Sequence, residues 1–586
     1  MKIVLCTTPI RPVPTDYPPF GSMALMQSLR EVGYDPYFYN IDGLRPSFDD
    51  VIRFFKAYQP DLIGVSAVVS TAYAYTKTLC QTLKRVLPNT PIIVGGNLAA
   101  SAELLLRCCG VDLCGIGEGE HTIVRVARYL QATGGRMRHE ALREIKNLAF
   151  LDDQGDMVCT GYDLPIPAEE FLDPDYTILE RDGLLNHYIT DPLSRADFAQ
   201  DPRTYQLHRR GQKMATVISA KGCVARCTFC HRWDKGYRHL PPATIVRRMQ
   251  HLREQHNVGF FMFGDENFGS DRRRLEELIA LIKPMDILYQ VGGVRCRSVD
   301  RELLFRLKES GCVALYYGME TGSPRMLEVM EKNTTLAHNL QAAFWTHEAD
   351  LYTTYQLVLG MPGENGETIN ETLEFVKRIT EILPEPPCHK LSMNYIQALP
   401  GTPTYEHARQ NGLLGASMDE EEAYLLRISD INAADDSKFL NFTNDDYFTV
   451  QSWRVKILFE AEAHWYRLRH WKAPDPRSPA GRPIAEKDYA RQGGYFNIKK
   501  LVFHPWFYRY GYPFRYLYYA LHVLAKDFFR LPQQEFWGYV WQWIRYRIRR
   551  QQARFTDYRS LRRIVTERLS VRTPSEESML PLRQGR

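Results

Sequence analysis

The sequence predicts an α/β chain: an N-terminal doubly wound (Rossmann/flavodoxin-like) domain, a partial (β/α)6 barrel, and a mainly helical C-terminal region. Three observations predict it. Short β-branched runs alternate with amphipathic stretches over residues 1–130, a second alternation starts at Ala215, and residues 441–586 show no strand series. A chain of 586 residues is long enough for about three domains at roughly 100–200 residues each.

In the first unit, strands are expected at Lys2–Cys6, Asp35–Asn40, Leu62–Ser66, Pro91–Val94 and Asp112–Gly115. Helical stretches such as Ser22–Val32 and Thr71–Val86 fall between them. Strand–helix alternation at this spacing implies a parallel sheet wound on both faces, with ligands at the carboxyl ends of its strands. Residues 150–205 lose the rhythm and are rich in Pro and Asp, so a linker is expected over 146–205, after a domain covering 1–145. The second unit, 206–420, places strands at Ala215–Ala220, Gly259–Gly264, Ile287–Val291, Val313–Tyr317, Thr353–Leu359 and Leu391–Ile396. Helical segments such as Arg272–Ile282 and Gly366–Ile382 separate them. In barrels the chemistry sits on the loops that follow the strands. Residues 421–586 form the helical remainder.

Composition excludes several classes. Hydrophobic residues are 44% and charged residues 24%, as in ordinary globular proteins. No apolar run reaches the ~20 residues of a membrane span. The opening MKIVLCTTPIRPVP reads as a first strand rather than a signal peptide, so a cytoplasmic location is expected. Twelve cysteines are too sparse for a disulfide scaffold and point to metal or catalytic use.

Three of them are close together: Lys221-Gly222-Cys223-Val224-Ala225-Arg226-Cys227-Thr228-Phe229-Cys230, just after the first strand of the second unit. Thiolates hold iron–sulfur clusters, and three ligands on four irons leave one iron open. Zinc with His231 as fourth ligand competes, but closed zinc sites usually pair two cysteine knuckles and no second knuckle follows.

The CxxxCxxC spacing with an aromatic before the last Cys resembles the radical S-adenosylmethionine superfamily. That resemblance implies a [4Fe-4S] cluster on Cys223, Cys227 and Cys230, with S-adenosylmethionine bound at the open iron through its amino and carboxylate groups. One electron then cleaves the cofactor to a 5′-deoxyadenosyl radical. It places Phe229 against the adenine and makes Asp265, Glu266, Glu320 and Gly360, all on loops after later strands, contacts of S-adenosylmethionine. It also implies an electron donor such as a flavodoxin or ferredoxin.

In the first unit, Ser66-Ala67-Val68 and Gly95-Gly96 end adjacent strands, and Gly117-Glu118-Gly119-Glu120 follows the next. Small residues at neighbouring strand ends open a crevice for a flat or nucleotide-like ligand, although such glycines also serve plain turns. The pattern, with Pro18-Pro19-Phe20-Gly21, is similar to the N-terminal domain of cobalamin-dependent radical S-adenosylmethionine enzymes. It implies cobalamin at Ser66, Gly95, Gly96, Gly117 and Glu118. The Asp-x-His-x-x-Gly motif, whose His ligates cobalt in other cobalamin domains, is absent. A methylthiotransferase would need a second cluster on N-terminal cysteines, but Cys6 and Cys80 fall inside an expected strand and helix.

The net charge of +5 is uneven: residues 501–586 hold sixteen Lys/Arg against six Asp/Glu. Leu501–Arg550 also contains eighteen Phe, Tyr and Trp. Such a segment can cap the barrel, dock on a membrane surface, or stack on single-stranded nucleic acid, the last being least supported. The expected function is methyl transfer to an unactivated carbon of a small-molecule or lipid-like substrate. The same cofactors also serve cyclisation, oxidation or rearrangement without methyl transfer. A non-catalytic cobalamin- or metal-binding regulator is the reading of another class, and the triplet and barrel together speak against it.

Overall fold

The structure is a computed structural model that describes residues 1–586 except 171–174, 181–182, 231–235, 430–437, 471–511 and 550–586. The first domain contains strands β1 (Ile3–Thr7), β2 (Tyr37–Tyr39), β3 (Leu62–Ser66), β4 (Ile92–Gly95), β5 (Leu113–Gly115), β6 (Leu148–Leu151) and β7 (Met157–Cys159). They form one sheet in the order β2-β1-β3-β4-β5-β6-β7. The first five pair in parallel, and the winding reverses between β1 and β3, the place where such sheets take ligands. All five residues of β1 are buried, as expected of a strand covered on both faces.

All five expected strands are present, within three residues at each end. The start of the expected linker is not one: β6 and β7 are an antiparallel hairpin that extends the sheet beyond β5. Gly155, at φ +80°, makes the turn between them, where a side chain would be strained. The first sheet therefore runs to Cys159 rather than ending before residue 146.

The second domain holds β8 (Lys213–Val217), β9 (Ala220–Gly222), β10 (Tyr237–His239), β11 (Val258–Phe263), β12 (Leu288–Val294), β13 (Cys312–Glu320), β14 (Tyr355–Leu359) and β15 (Leu391–Tyr395). Six of them form a parallel sheet in the order β15-β14-β13-β12-β11-β8, the sequential arrangement of an open barrel. The other two, β9 and β10, form a separate antiparallel hairpin that closes the base of the cysteine loop.

The helix Tyr447–His470 packs on the barrel helix Gly366–Thr380. The Trp465 indole donates to Leu383 O at 3.0 Å, and the Tyr395 hydroxyl donates to Val450 O at 2.9 Å. The helices Tyr512–Arg530 and Gln533–Arg549 lie against Tyr447–His470. There Tyr519 donates to Glu460 at 2.6 Å and the Tyr447 and Tyr539 rings stack at 3.9 Å. Part of the aromatic tail is thus a packed cap. Its segments 501–511 and 550–586 lie outside the described residues. Among the described residues no helix is long and apolar enough to cross a membrane.

Candidate active site

The cysteine loop is set by its ends. Gly222 and Gly236 adopt φ +79° and +77°, and the Gly222–Tyr237 pairing closes the loop. Thr228, fully buried, pins the middle: its N–H donates to Met330 O at 3.0 Å and its hydroxyl to Val329 O at 3.1 Å. Its own carbonyl accepts from Thr404 N–H at 3.1 Å. Cys223 is half-buried, Cys227 buried and Cys230 exposed. Burial raises the Cys227 thiol pKa. The cation that opposes this most is Lys332, which pairs with the buried Glu320 and stands 6.0 Å from the Phe229 ring. The donor set itself, three thiols on one loop with glycine hinges, fits a three-coordinated iron–sulfur cluster. His231 lies outside the described residues.

The strand ends around the loop differ in use. Asp265, expected to touch S-adenosylmethionine, accepts from Ser219 N–H at 2.7 Å, Ala220 N–H at 2.9 Å and the Ser219 hydroxyl at 2.6 Å. Its carboxylate shapes the turn from β8 into β9, and burial pushes its pKa up to about 6. Glu266 is exposed and lines the cavity described below. Glu320 ends β13 at φ +65°, a costly conformation for a non-glycine residue, and its carboxylate is held by Lys332. Gly360 turns at φ +86° and donates its N–H to Glu364.

Between the two sheets lies a cavity of about 1120 Å³, above the usual ~300–1,000 Å³ of small-ligand pockets. Ser66, Gly95 and Gly117 line it from the first domain, and Lys221, Gly264 and Glu266 from the second. A Cβ on Gly95 would meet nothing within 4 Å, so this strand end is open to the cavity. A Cβ on Gly96, at φ +85°, would stand 2.5 Å from Ala67 O, so close strand contact requires that glycine. A Cβ on Gly117 would stand 2.5 Å from Asn147 Oδ1, which gives that glycine a packing reason of its own. A wide crevice with bare backbone on one wall fits a flat macrocycle such as a corrin.

Glu118 also has a second task. It pairs with Arg238 of β10 and lies 3.5 Å from Lys221 of β9, while its other oxygen accepts from Ile166 N–H at 2.7 Å. Lys221 reaches Glu120 at 3.0 Å. Burial alone would raise the Glu118 pKa, but Arg238 and Lys221 outweigh it and the pKa lies below the ordinary range. These pairs fasten the cysteine hairpin to the first domain. Arg238 and Lys332 were not singled out by sequence reasoning, since neither belongs to a motif. Lys221 had one signal, its place two residues before Cys223.

Residues 217–376 match the Radical SAM superfamily model and residues 7–127 the B12 binding domain model. The chain thus joins a segment of the radical SAM superfamily to a B12-binding domain. Its cofactors are therefore a [4Fe-4S] cluster, S-adenosylmethionine and cobalamin. It is 29% identical over 370 residues to the anaerobic magnesium-protoporphyrin IX monomethyl ester cyclase of Cereibacter sphaeroides, covering 61% of this chain and 56% of that protein. The chain thus spans just over half the length of that relative. It is 26% identical over 434 residues to an uncharacterized methyltransferase of Pyrococcus horikoshii, covering 71% and 84%. In fold it is similar to the cobalamin-dependent S-adenosylmethionine radical enzyme OxsB with aqua-cobalamin and S-adenosylmethionine bound. The TM-score is 0.57 at 14% identity, covering 97% of this chain and 80% of that one.

Proposed function

We propose that this radical SAM protein is a cobalamin-dependent methyltransferase acting on an unactivated carbon of a small-molecule or lipid-like substrate. The observation that carries the reading is the cavity: its walls are the glycine strand ends of the first domain and the base of the cysteine loop. When bound, the cluster with S-adenosylmethionine supplies a hydrogen-abstracting radical, and cobalamin supplies the methyl group. Cys223, Cys227 and Cys230 hold the cluster. Phe229, Glu266, Glu320 and Gly360 form the S-adenosylmethionine side, with Lys332 keeping Glu320 in place. Asp265 acts there indirectly, by fixing the turn that leads to the loop. Ser66, Gly95, Gly96, Gly117 and Glu118 form the cobalamin side. The Glu118–Arg238 and Lys221–Glu120 pairs keep the two sides facing and exclude water between them.

The exposed position of Cys230 supports delivery of electrons from a flavodoxin or ferredoxin at the adjoining surface. Peripheral membrane contact is supported by five exposed apolar side chains on the last two described helices. Phe529 is 86% exposed, and Leu521, Phe528, Trp537 and Trp541 also face outward, beside Arg530 and Arg545. Aromatic rings with cations suit the headgroup region of an anionic bilayer. Sedimentation with phosphatidylglycerol vesicles tests this: the wild type is expected to co-sediment, and a Trp537→Gln/Trp541→Gln variant to remain in solution. Equal sedimentation of the two removes the membrane reading.

The resemblance to a cyclase supports a second outcome with the same cofactors and no methyl transfer. The deciding experiment uses anaerobically reconstituted protein, a cell extract as substrate source, and S-adenosylmethionine with a deuterated methyl group. Product carrying the label is expected. Deoxyadenosine formed with unlabelled, dehydrogenated product would replace methyl transfer by the second outcome.

A further inference from the structure

Among the described residues two hydrogen-bond donors face the sulfur of Cys223. Ala225 N–H donates at 3.3 Å, and so does Asn267 Nδ2, at 3.3 Å. Asn267 sits on the turn after β11 and is 1% exposed. Its Oδ1 accepts from the Ser270 hydroxyl, which leaves the amide N–H₂ to face the sulfur. The turn is tied to β12: Phe268 N–H donates to Gly293 O at 3.3 Å. A side chain at Gly293, φ +65°, would collide with Asp265 O at 2.6 Å and Glu266 O at 2.7 Å. A buried amide held in this way on a thiol is more than local packing, because a leucine would fill the same space.

We propose that Asn267 is a positioning residue for the iron–sulfur cluster: its amide orients the Cys223 sulfur and raises the reduction potential of the cluster. The proposal rests on the cluster reading above. A ligand sulfur gains negative charge when the cluster accepts an electron. An N–H aimed at it therefore stabilises the reduced form more than the oxidised form. The electron comes from an external low-potential one-electron donor, and no bond is made or broken at Asn267.

The test is a potentiometric titration of the reconstituted full chain without S-adenosylmethionine, followed by electron paramagnetic resonance of the reduced cluster. Wild type, Asn267→Leu, Asn267→Asp and Ser270→Ala are compared, with iron content measured for each. Asn267→Leu is expected to keep wild-type iron content and to lower the reduced-to-oxidised ratio at a fixed potential about tenfold. That is a shift of about 59 mV for one electron. Asn267→Asp keeps the Ser270 contact, loses the donor and adds a negative charge, so its shift is larger in the same direction. Titration of both variants within threefold of wild type overturns the proposal. If neither variant holds a cluster, Ser270→Ala decides: a smaller shift in the same direction is expected, and an unchanged potential overturns the proposal. A wild-type chain that takes up no cluster instead removes the reading on which the proposal rests.

Discussion

Gly95 and Gly96 are neighbours, yet a side chain added at each meets a different obstacle. At Gly95 it enters open space in the cavity, and at Gly96 it strikes Ala67 O and is strained by φ +85°. Gly95→Leu is therefore expected to leave the melting temperature within about 2 °C of wild type and to abolish cobalamin binding, read by absorbance after gel filtration. Gly96→Ala is expected to destabilise the fold by about 1–3 kcal/mol, with cobalamin lost only as a consequence. A second residue-scale case is Glu364, fully buried behind Gly360, with no partner for Oε1 among the described residues. Burial pushes its pKa from the usual 4.5 up to about 8. The folded chain holds this proton where the unfolded chain has lost it. Its contribution to stability is thus complete below pH 4.5, falls as pH rises, and is gone above about 8. Glu364→Gln does not titrate, so its melting temperature should gain on wild type between pH 5 and 8 and then hold a constant lead. An equal pH dependence of the two proteins would refute the buried-acid account. At this scale the sequence was partly legible. The three cysteines and the strand-end glycines stand out by spacing. The carboxylates were harder, because Asp265 and Glu118 are recruited by backbone N–H groups and cations from distant segments.

The β9–β10 hairpin is the element on which the site turns. It carries the cysteine loop at one end and, through Lys221 and Arg238, grips Glu118 and Glu120 of the first domain. Glu118→Gln removes the carboxylate that Arg238 and Lys221 share in a half-buried site, so a loss of about 2 kcal/mol is expected. Chemical denaturation should show a lower midpoint, and limited proteolysis faster cutting between the two sheets. The Glu118 pKa is depressed in the fold, so this contribution is present above the ordinary glutamate range and fades as pH falls through it. The stability gap between wild type and Glu118→Gln should therefore close below about pH 4. The hairpin was not legible in advance. Each strand has three residues and the loop between them runs from Cys223 to Gly236, too short and too interrupted for a period-2 pattern. The same holds for β6 and β7, whose Pro- and Asp-rich surroundings read as linker. The eleven longer or better-spaced strands were legible because each is a buried apolar run between helical segments.

For the whole molecule, the two sheets are brought together so that their ligand ends share one cavity of about 1120 Å³. Tyr17 of the first domain comes within 3.2 Å of the space a Cβ on Gly264 would fill, so the second domain's glycine is what lets the first approach. Sequence alone located both strand ends but not their juxtaposition, which depends on ion pairs between segments a hundred residues apart. The C-terminal helices divide their aromatics. Tyr519, Phe536 and Tyr539 pack on the helix Tyr447–His470, while Phe529, Trp537 and Trp541 are left facing outward. The central claim is that the cysteine loop builds the cluster that cleaves S-adenosylmethionine. The most direct test is 5′-deoxyadenosine formation by anaerobically reconstituted wild type and Cys227→Ala, measured by mass spectrometry under one-electron reduction. The wild type is expected to form it and Cys227→Ala to fall to the no-enzyme background. Formation at the wild-type rate by Cys227→Ala would contradict the account.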